Sequence, residues 1–156
     1  MLLNSITLQL NAGDRVALSG LSGAGKSLFL RALALLDPLD GGRVLWHGKD
    51  VADIEIPTYR RQVAYVGQRP AMFDGTVEDN LRYPFSLKVY RDTRFDRDKV
   101  ARLLRQGGRE EDFLQKRASE LSGGEAQIAA LIRVLQLDPQ VLLLDEPTAS
   151  LDPLST

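Results

Sequence analysis

The run Gly20-Leu21-Ser22-Gly23-Ala24-Gly25-Lys26-Ser27 constrains this chain more than any other stretch. It follows Arg15-Val16-Ala17-Leu18-Ser19, which has the length and character of a strand. It precedes Leu28, Phe29, Ala32, Leu33, Leu35 and Leu36, which repeat every three or four residues until Asp37-Pro38 stops the pattern. A strand therefore enters a glycine-rich turn and leaves it as a helix. Glycines at 20, 23 and 25 let the backbone turn back on itself and aim successive N–H groups inward, at the positive end of the helix dipole. Polyphosphate fits such a nest. Lys26 supplies a point charge for the outer phosphates, and the Ser27 hydroxyl is a hard oxygen ligand for Mg2+. The spacing matches G-x-x-x-x-G-K-[ST] at every fixed position, in the strand-to-helix setting that the chemistry requires.

Composition narrows what surrounds this cradle. With 20 basic and 21 acidic residues, a net charge of −1 and a pI of about 5.8, the chain lacks the basic footprint of a dedicated nucleic-acid binder, so no direct nucleic-acid binding is expected. Any anion has to be held locally. The absence of cysteine excludes disulfides, thiolate metal sites and thiol catalysis. No apolar run reaches the length of a membrane span, and the N-terminus lacks a basic stretch leading into an apolar signal core. A cytoplasmic chain is the expectation.

Along the chain, Ile6, Leu8 and Leu10 alternate with polar residues. Ala12-Gly13-Asp14 then offers a turn, predicting a hairpin of two strands that ends at Ser19. Arg43 to Trp46 and Val63 to Val66 read as strands, and Pro57 to Gln62 as a short helix. Residues 88–117 hold half of the basic residues, with Val100, Leu103 and Leu104 on one helical face and Gly107-Gly108 placed to cap it. Ile128, Leu131, Ile132 and Leu135 form a buried helical stripe, and Val141 to Leu144 a fully apolar strand. Strands alternating with helices around apolar runs imply an α/β fold with a largely parallel sheet.

Asp145 and Glu146 close that last strand, at the edge where open α/β sheets bind ligands. Two adjacent acids call for separate roles. Asp145 suits a Mg2+ site, and Glu146 is positioned to orient and deprotonate a water that attacks the terminal phosphate. A second glycine pair, in Leu121-Ser122-Gly123-Gly124-Glu125, opens the amphipathic helix. Alone it is a helix N-cap; beside the cradle it is also an anion-seeking helix end.

The order GLSGAGKS, Gln68, LSGGE, VLLLDEP and then Ala149-Ser150-Leu151-Asp152 resembles the ATP-binding domain of ABC transporters across almost the whole chain. The resemblance implies a P-loop NTPase core of the ABC type, with an N-terminal antiparallel β part and a helical subdomain at approximately residues 70–130. ATP and Mg2+ are the implied cofactors. The implied nucleotide contacts are Gly20, Ser22, Gly23, Ala24, Gly25, Lys26, Ser27 and Leu28. Ser122, Gly123 and Gly124 would grip the terminal phosphate held by the opposite subunit of a head-to-tail dimer, and Asp152 would lie in the loop that crosses the interface. Ser27, Gln68 and Asp145 fall at metal positions; Glu146, Gln68 and Lys26 fall at catalytic ones. Gly75 to Asn80 looks like the start of the helical subdomain, where a membrane permease docks. The chain as a whole also resembles compact stand-alone subunits of metal-export systems.

Four departures stand out. Leu28 replaces a second hydroxyl residue, Glu125 replaces the commoner Gln, and Ile128 stands where Arg is common. The only histidine, His47, lies in a turn, so no histidine follows the Asp152 segment. An adenine-stacking aromatic would precede Met1, and the strand central to such cores would follow Thr156. The expectation is an incomplete domain, a poor ATPase by itself, with unpaired strand edges at Arg15 to Ser19 and Val141 to Leu144. The leading function is the energy-coupling ATPase of a transporter, working peripherally on the inner face of the membrane through its permease. The alternatives are an ABC-type ATPase acting on nucleic acid, against which the charge and the lack of a coiled-coil insertion weigh, and a non-catalytic remnant.

Overall fold

The computed structural model describes residues 6–147. Helix α1 (Lys26–Leu33) starts directly after Gly25, whose φ of 89° leaves the glycine turn in the left-handed region. It ends before the expected stop at Asp37. The Leu36 N–H bonds the Arg31 carbonyl and the Leu35 N–H bonds the Ala32 carbonyl, with Leu35 at φ 56°, so a left-handed cap closes the helix early. The Tyr59 hydroxyl and the Arg60 guanidinium then take the freed carbonyls of Leu33 and Ala34.

Strands β1 (Leu45–Trp46) and β2 (Lys49–Asp50) form a small antiparallel hairpin. Its two loop residues, His47 and Gly48, both have positive φ, the type I′ geometry that matches strand twist. Strand pairing begins two residues later than Arg43. Helix α2 (Ile56–Gln62) carries Pro57 in its first turn, where a missing N–H costs nothing, and runs straight into β3 (Val63–Val66).

Helix α3 (Val77–Arg82) opens with a capping box in which Thr76 and Asp79 satisfy each other's backbone N–H groups. Helix α4 (Arg97–Gln106) is capped by Asp96 and ends at Gly107, with Gly108 at φ 68°. Its Val100 and Leu104 are fully buried, as their spacing predicts. Helix α5 (Gly123–Leu135) begins with the Ser122 and Glu125 capping box, and strand β4 (Val141–Leu144) follows it. β4 pairs in parallel with β3, Val63 opposite Val141 and Val66 opposite Leu144.

Two apolar clusters result. One joins α3, α4 and α5 through Val77, Leu81, Val100, Leu104, Phe113, Leu114, Ala129 and Ile132; Ile128 packs on its margin, where an arginine would have carried charge. The other joins α1 to the strands through Leu30, Ala34, Val51, Tyr59, Val63 and Leu143.

The hairpin expected over residues 6–19 does not form. The turn does, with the Asp14 N–H on the Asn11 carbonyl and the Asp14 carboxylate accepting from the Asn11 N–H at 2.7 Å. Its two arms carry no ladder, and every residue from Ile6 to Leu21 is exposed. Alternating apolar residues become strand only when a neighbour takes their backbone groups and covers one face; neither condition is met here. The expected edge at Arg15 to Ser19 is accordingly not a strand edge, whereas β4 is a true strand.

Candidate functional site

The glycine turn brings its own consequences. Gly20, Gly23 and Gly25 all have positive φ, at 158°, 79° and 89°, with Gly23 and Gly25 in the region that only glycine enters freely. The Ala24 N–H closes one turn on Leu21, and no side chain caps the first turn of α1. No acidic residue of the helix itself lies in that turn, and Gly23, Gly25, Lys26 and Ser27 at its positive end line the cleft. The Lys26 ammonium folds back onto the turn and donates to the Gly20 and Leu21 carbonyls at 2.9 and 3.1 Å. A cation thus sits inside its own backbone ring, held where phosphate oxygens are attracted.

The acidic strand end meets this turn. Ser27 Oγ donates to Asp145 Oδ1 at 2.9 Å, joining residues 118 positions apart. Asp145 is 5% exposed, and its other oxygen accepts from the Tyr65 hydroxyl at 3.0 Å. Burial, with the adjacent Asp145 carboxylate, pushes the Tyr65 phenol up to about 12. It remains a donor throughout the working pH range.

Glu146, by contrast, is exposed and takes φ 48°, a left-handed conformation rare for a glutamate. That turn swings its carboxylate away from Asp145 to accept from Gln68 Nε2 at 2.7 Å. Ser22, Gly23, Gly25, Lys26, Ser27, Gln68 and Glu146 line one cleft of about 320 Å³. Hydroxyl, carboxylate and amide oxygens are hard donors of the kind Mg2+ takes. Among the described residues no group of three or more His, Cys, Asp or Glu is placed to hold a metal ion.

Residues 3–149 match the model of the family described as ABC transporter. The chain belongs to the ABC transporter family. It is 45% identical over 155 residues to Protein STAR1 of Oryza sativa subsp. japonica, covering 99% of this chain and 44% of that protein. It is 40% identical over 151 residues to the probable iron export ATP-binding protein FetA of Escherichia coli (strain K12), covering 97% of this chain and 66% of that one. Among solved structures it resembles the dimeric post-hydrolysis state of the ATP-binding cassette MJ0796 bound to ADP and Pi. The TM-score there is 0.84 at 26% identity, over 97% of this chain and 68% of that one. The chain spans about half the length of the curated relatives it matches. Its fold is the α/β P-loop NTPase fold of the ABC cassette.

Within this ABC cassette fold the remaining expected site residues fall in two places. Ala24 lies in the turn itself, and Leu28 is 39% exposed on the first turn of α1, offering its backbone N–H but no hydroxyl. Ser122, Gly123 and Gly124 do not line the cleft. They open α5, where Ser122 Oγ accepts from the Glu125 N–H at 3.2 Å and the Ser122 N–H donates to Glu125 Oε2 at 3.0 Å. Asp152 lies outside the described residues. Sequence reasoning missed Tyr65. Strand alternation carried the signal, because positions 63 and 65 share a face with 141, 143 and, one step on, 145.

Proposed function

We propose that this chain forms the nucleotide-binding core of a transporter's energy-coupling ATPase. Its Gly20 to Ser27 turn would hold the phosphates of ATP, with the backbone of Gly20, Ser22, Gly23, Ala24, Gly25 and Leu28 facing them. Ser27, Asp145 and Gln68 would hold Mg2+, and Glu146 would act as the general base. The observation that carries the reading is the single cleft: a helix N-terminus with its lysine and a serine tied to a buried aspartate, and a glutamine tied to a glutamate, converge from three separate segments.

The division of labour follows from burial. Asp145 is buried with one hydrogen bond on each oxygen, which suits a fixed ligand; Glu146 is exposed, which suits proton exchange with water. When bound, Mg2+ would neutralise charge on the outer phosphates. Glu146 would accept the proton of the attacking water as the new P–O bond forms, while the bond to the bridging oxygen breaks and ADP leaves. Gln68 would hold Glu146 and the water in line.

The helical part, approximately residues 70–130, would form the subdomain that docks a membrane permease. No helix among the described residues is long and apolar enough to cross a membrane itself. Ser122 to Gly124, outside the cleft of their own chain, would reach the nucleotide of a second copy in a head-to-tail dimer that Asp152 also lines.

Nucleotide titration of wild type and Lys26→Ala tests the reading. Wild type should bind Mg·ATP, and the variant about 10- to 100-fold more weakly, the worth of one charge-assisted contact. Equal affinity in two folded proteins would sink the cradle assignment.

A further inference from the structure

Both oxygens of Asp145 are engaged, but from different sources. Oδ1 accepts from Ser27 Oγ at 2.9 Å, within the glycine turn and helix that make the cleft. Oδ2 accepts from the hydroxyl of Tyr65, a residue that does not line the cleft, at 3.0 Å. The placement follows from strand geometry. β3 and β4 are parallel, with Tyr65 opposite Leu143 and the Asp145 N–H on the Val66 carbonyl at 2.9 Å, so Tyr65, Leu143 and Asp145 project from one face. Val63 and Leu143 anchor that face against Leu30 of α1 and Ala34 at its C-cap, with the Tyr65 ring packed beside them. The ring is also hemmed in from the chain itself. A Cβ at Gly67 would stand 3.2 Å from a Tyr65 ring carbon and 3.3 Å from its hydroxyl oxygen, so a glycine there is what gives the phenol its place.

We propose that Tyr65 is a positioning residue for Asp145: its hydroxyl holds Oδ2 so that Oδ1 stays on Ser27 and faces the divalent cation of the bound nucleotide. This rests on the reading of the cleft as a Mg·nucleotide site. Tyr65 does not touch nucleotide or metal. It acts by removing the rotational freedom of a buried carboxylate that would otherwise swing between Ser27 and an empty hydrogen-bonding direction. Outer partners of this kind typically govern metal affinity by about 10- to 100-fold.

The test compares wild type, Tyr65→Phe and Gly67→Ala by titrating Mg2+ into the protein with a fluorescent ATP analogue, beside the same nucleotide titration in EDTA and a thermal melt. Tyr65→Phe keeps the ring and its packing, so melting should be cooperative. The Mg2+ concentration at half-saturation should rise about tenfold, while metal-free nucleotide affinity stays within about twofold. Gly67→Ala, which crowds the same phenol and leaves its hydroxyl in place, should shift the Mg2+ requirement in the same direction by a smaller factor. Unchanged Mg2+ half-saturation in both variants would overturn the assignment, as would a loss equal with and without Mg2+, the mark of a merely structural ring. Binding that Lys26→Ala abolishes and Tyr65→Phe leaves untouched would remove Tyr65 alone. Absence of Mg·ATP binding by wild type would remove both readings.

Discussion

The two clusters of this chain are built from similar side chains and close in different ways. In the helical one, Val77, Leu81, Val100, Leu104 and Leu114 are 0% exposed, and all its members lie between residues 77 and 132. In the strand-bound one the members run from Leu30 to Leu143, and next to it in sequence Ile6, Leu8, Leu10, Val16 and Leu18 are 39% to 55% exposed. Helices satisfy their own backbone and need only a neighbour for one stripe. Strands need a neighbour for every N–H along an edge as well as a cover for a face. Helical order can therefore be completed within a short stretch, while strand order waits on partners far along the chain.

Truncating one side chain in each region breaks the comparison most sharply. Leu104→Ala removes a fully buried side chain from the helical cluster and should cost about 2–5 kcal/mol. Leu18→Ala, in the exposed arm, should change stability by no more than about 0.5 kcal/mol. Urea unfolding of the two variants checks both. Comparable losses would mean that the arm is packed in solution and that the difference between the regions is not real.

A second, smaller effect tests the polar side of the helical region. Asn80 is 1% exposed, yet its carbonyl oxygen accepts from the Phe73 N–H at 2.8 Å and its amide donates to the Phe73 and Thr76 carbonyls, both at 2.9 Å. One side chain thereby ties the loop after Gln68 to α3. Arg133, which donates to the Ala71 carbonyl at 2.9 Å, holds the same loop from α5. Asn80→Ala leaves the Phe73 N–H and carbonyl without their side-chain partner, while the Thr76 carbonyl keeps the backbone N–H of residue 80, and should cost about 1–3 kcal/mol, with faster amide exchange confined to residues 71–76. Exchange that stays slow there would show that the loop is held by Arg133 alone.

The same contrast explains what was legible in the sequence. Apolar spacing located α4 and α5, and the cradle motif located the start of α1, because helical period and turn chemistry are local. The strand pair Val63 to Val66 and Val141 to Leu144 was readable as two apolar runs, but its register was not, since pairing is decided across 78 positions. The arms of residues 6–19 show the opposite error, where a clean alternating pattern lacks a partner. In the site, Gly20 to Ser27, Gln68, Asp145 and Glu146 were named from their motifs, and three-dimensional contact then linked Ser27 to Asp145 and Gln68 to Glu146. Tyr65 stayed hidden because a tyrosine in an apolar strand reads as core until the facing residue is known.

The smallest expected effect lies where the helical region presents Ser122. Glu125 Oε2 accepts from the Ser122 N–H, while Oε1 accepts from Lys116 Nζ at 2.8 Å and lies 3.9 Å from Arg109 Nη1. The Lys116 ammonium, and after it the Ser122 N–H, pull the Glu125 carboxyl from its ordinary 4.5 down to about 2. Because the folded value lies below the unfolded one, the carboxylate favours the folded state. That contribution is complete above about pH 4.5 and lost as pH falls from there through about 2. Glu125→Gln keeps an amide oxygen for the Ser122 N–H but gives up the ion pairs, so at pH 7 it should cost no more than about 1 kcal/mol. Other carboxyls titrate in both proteins, and the difference between wild type and variant isolates this one. Unfolding midpoints measured from pH 7 to pH 2.5 should converge as the acid limit is approached. A difference that stays constant over that range would show that Lys116 and Arg109 do not clamp the turn, leaving the Ser122 cap to α5 alone.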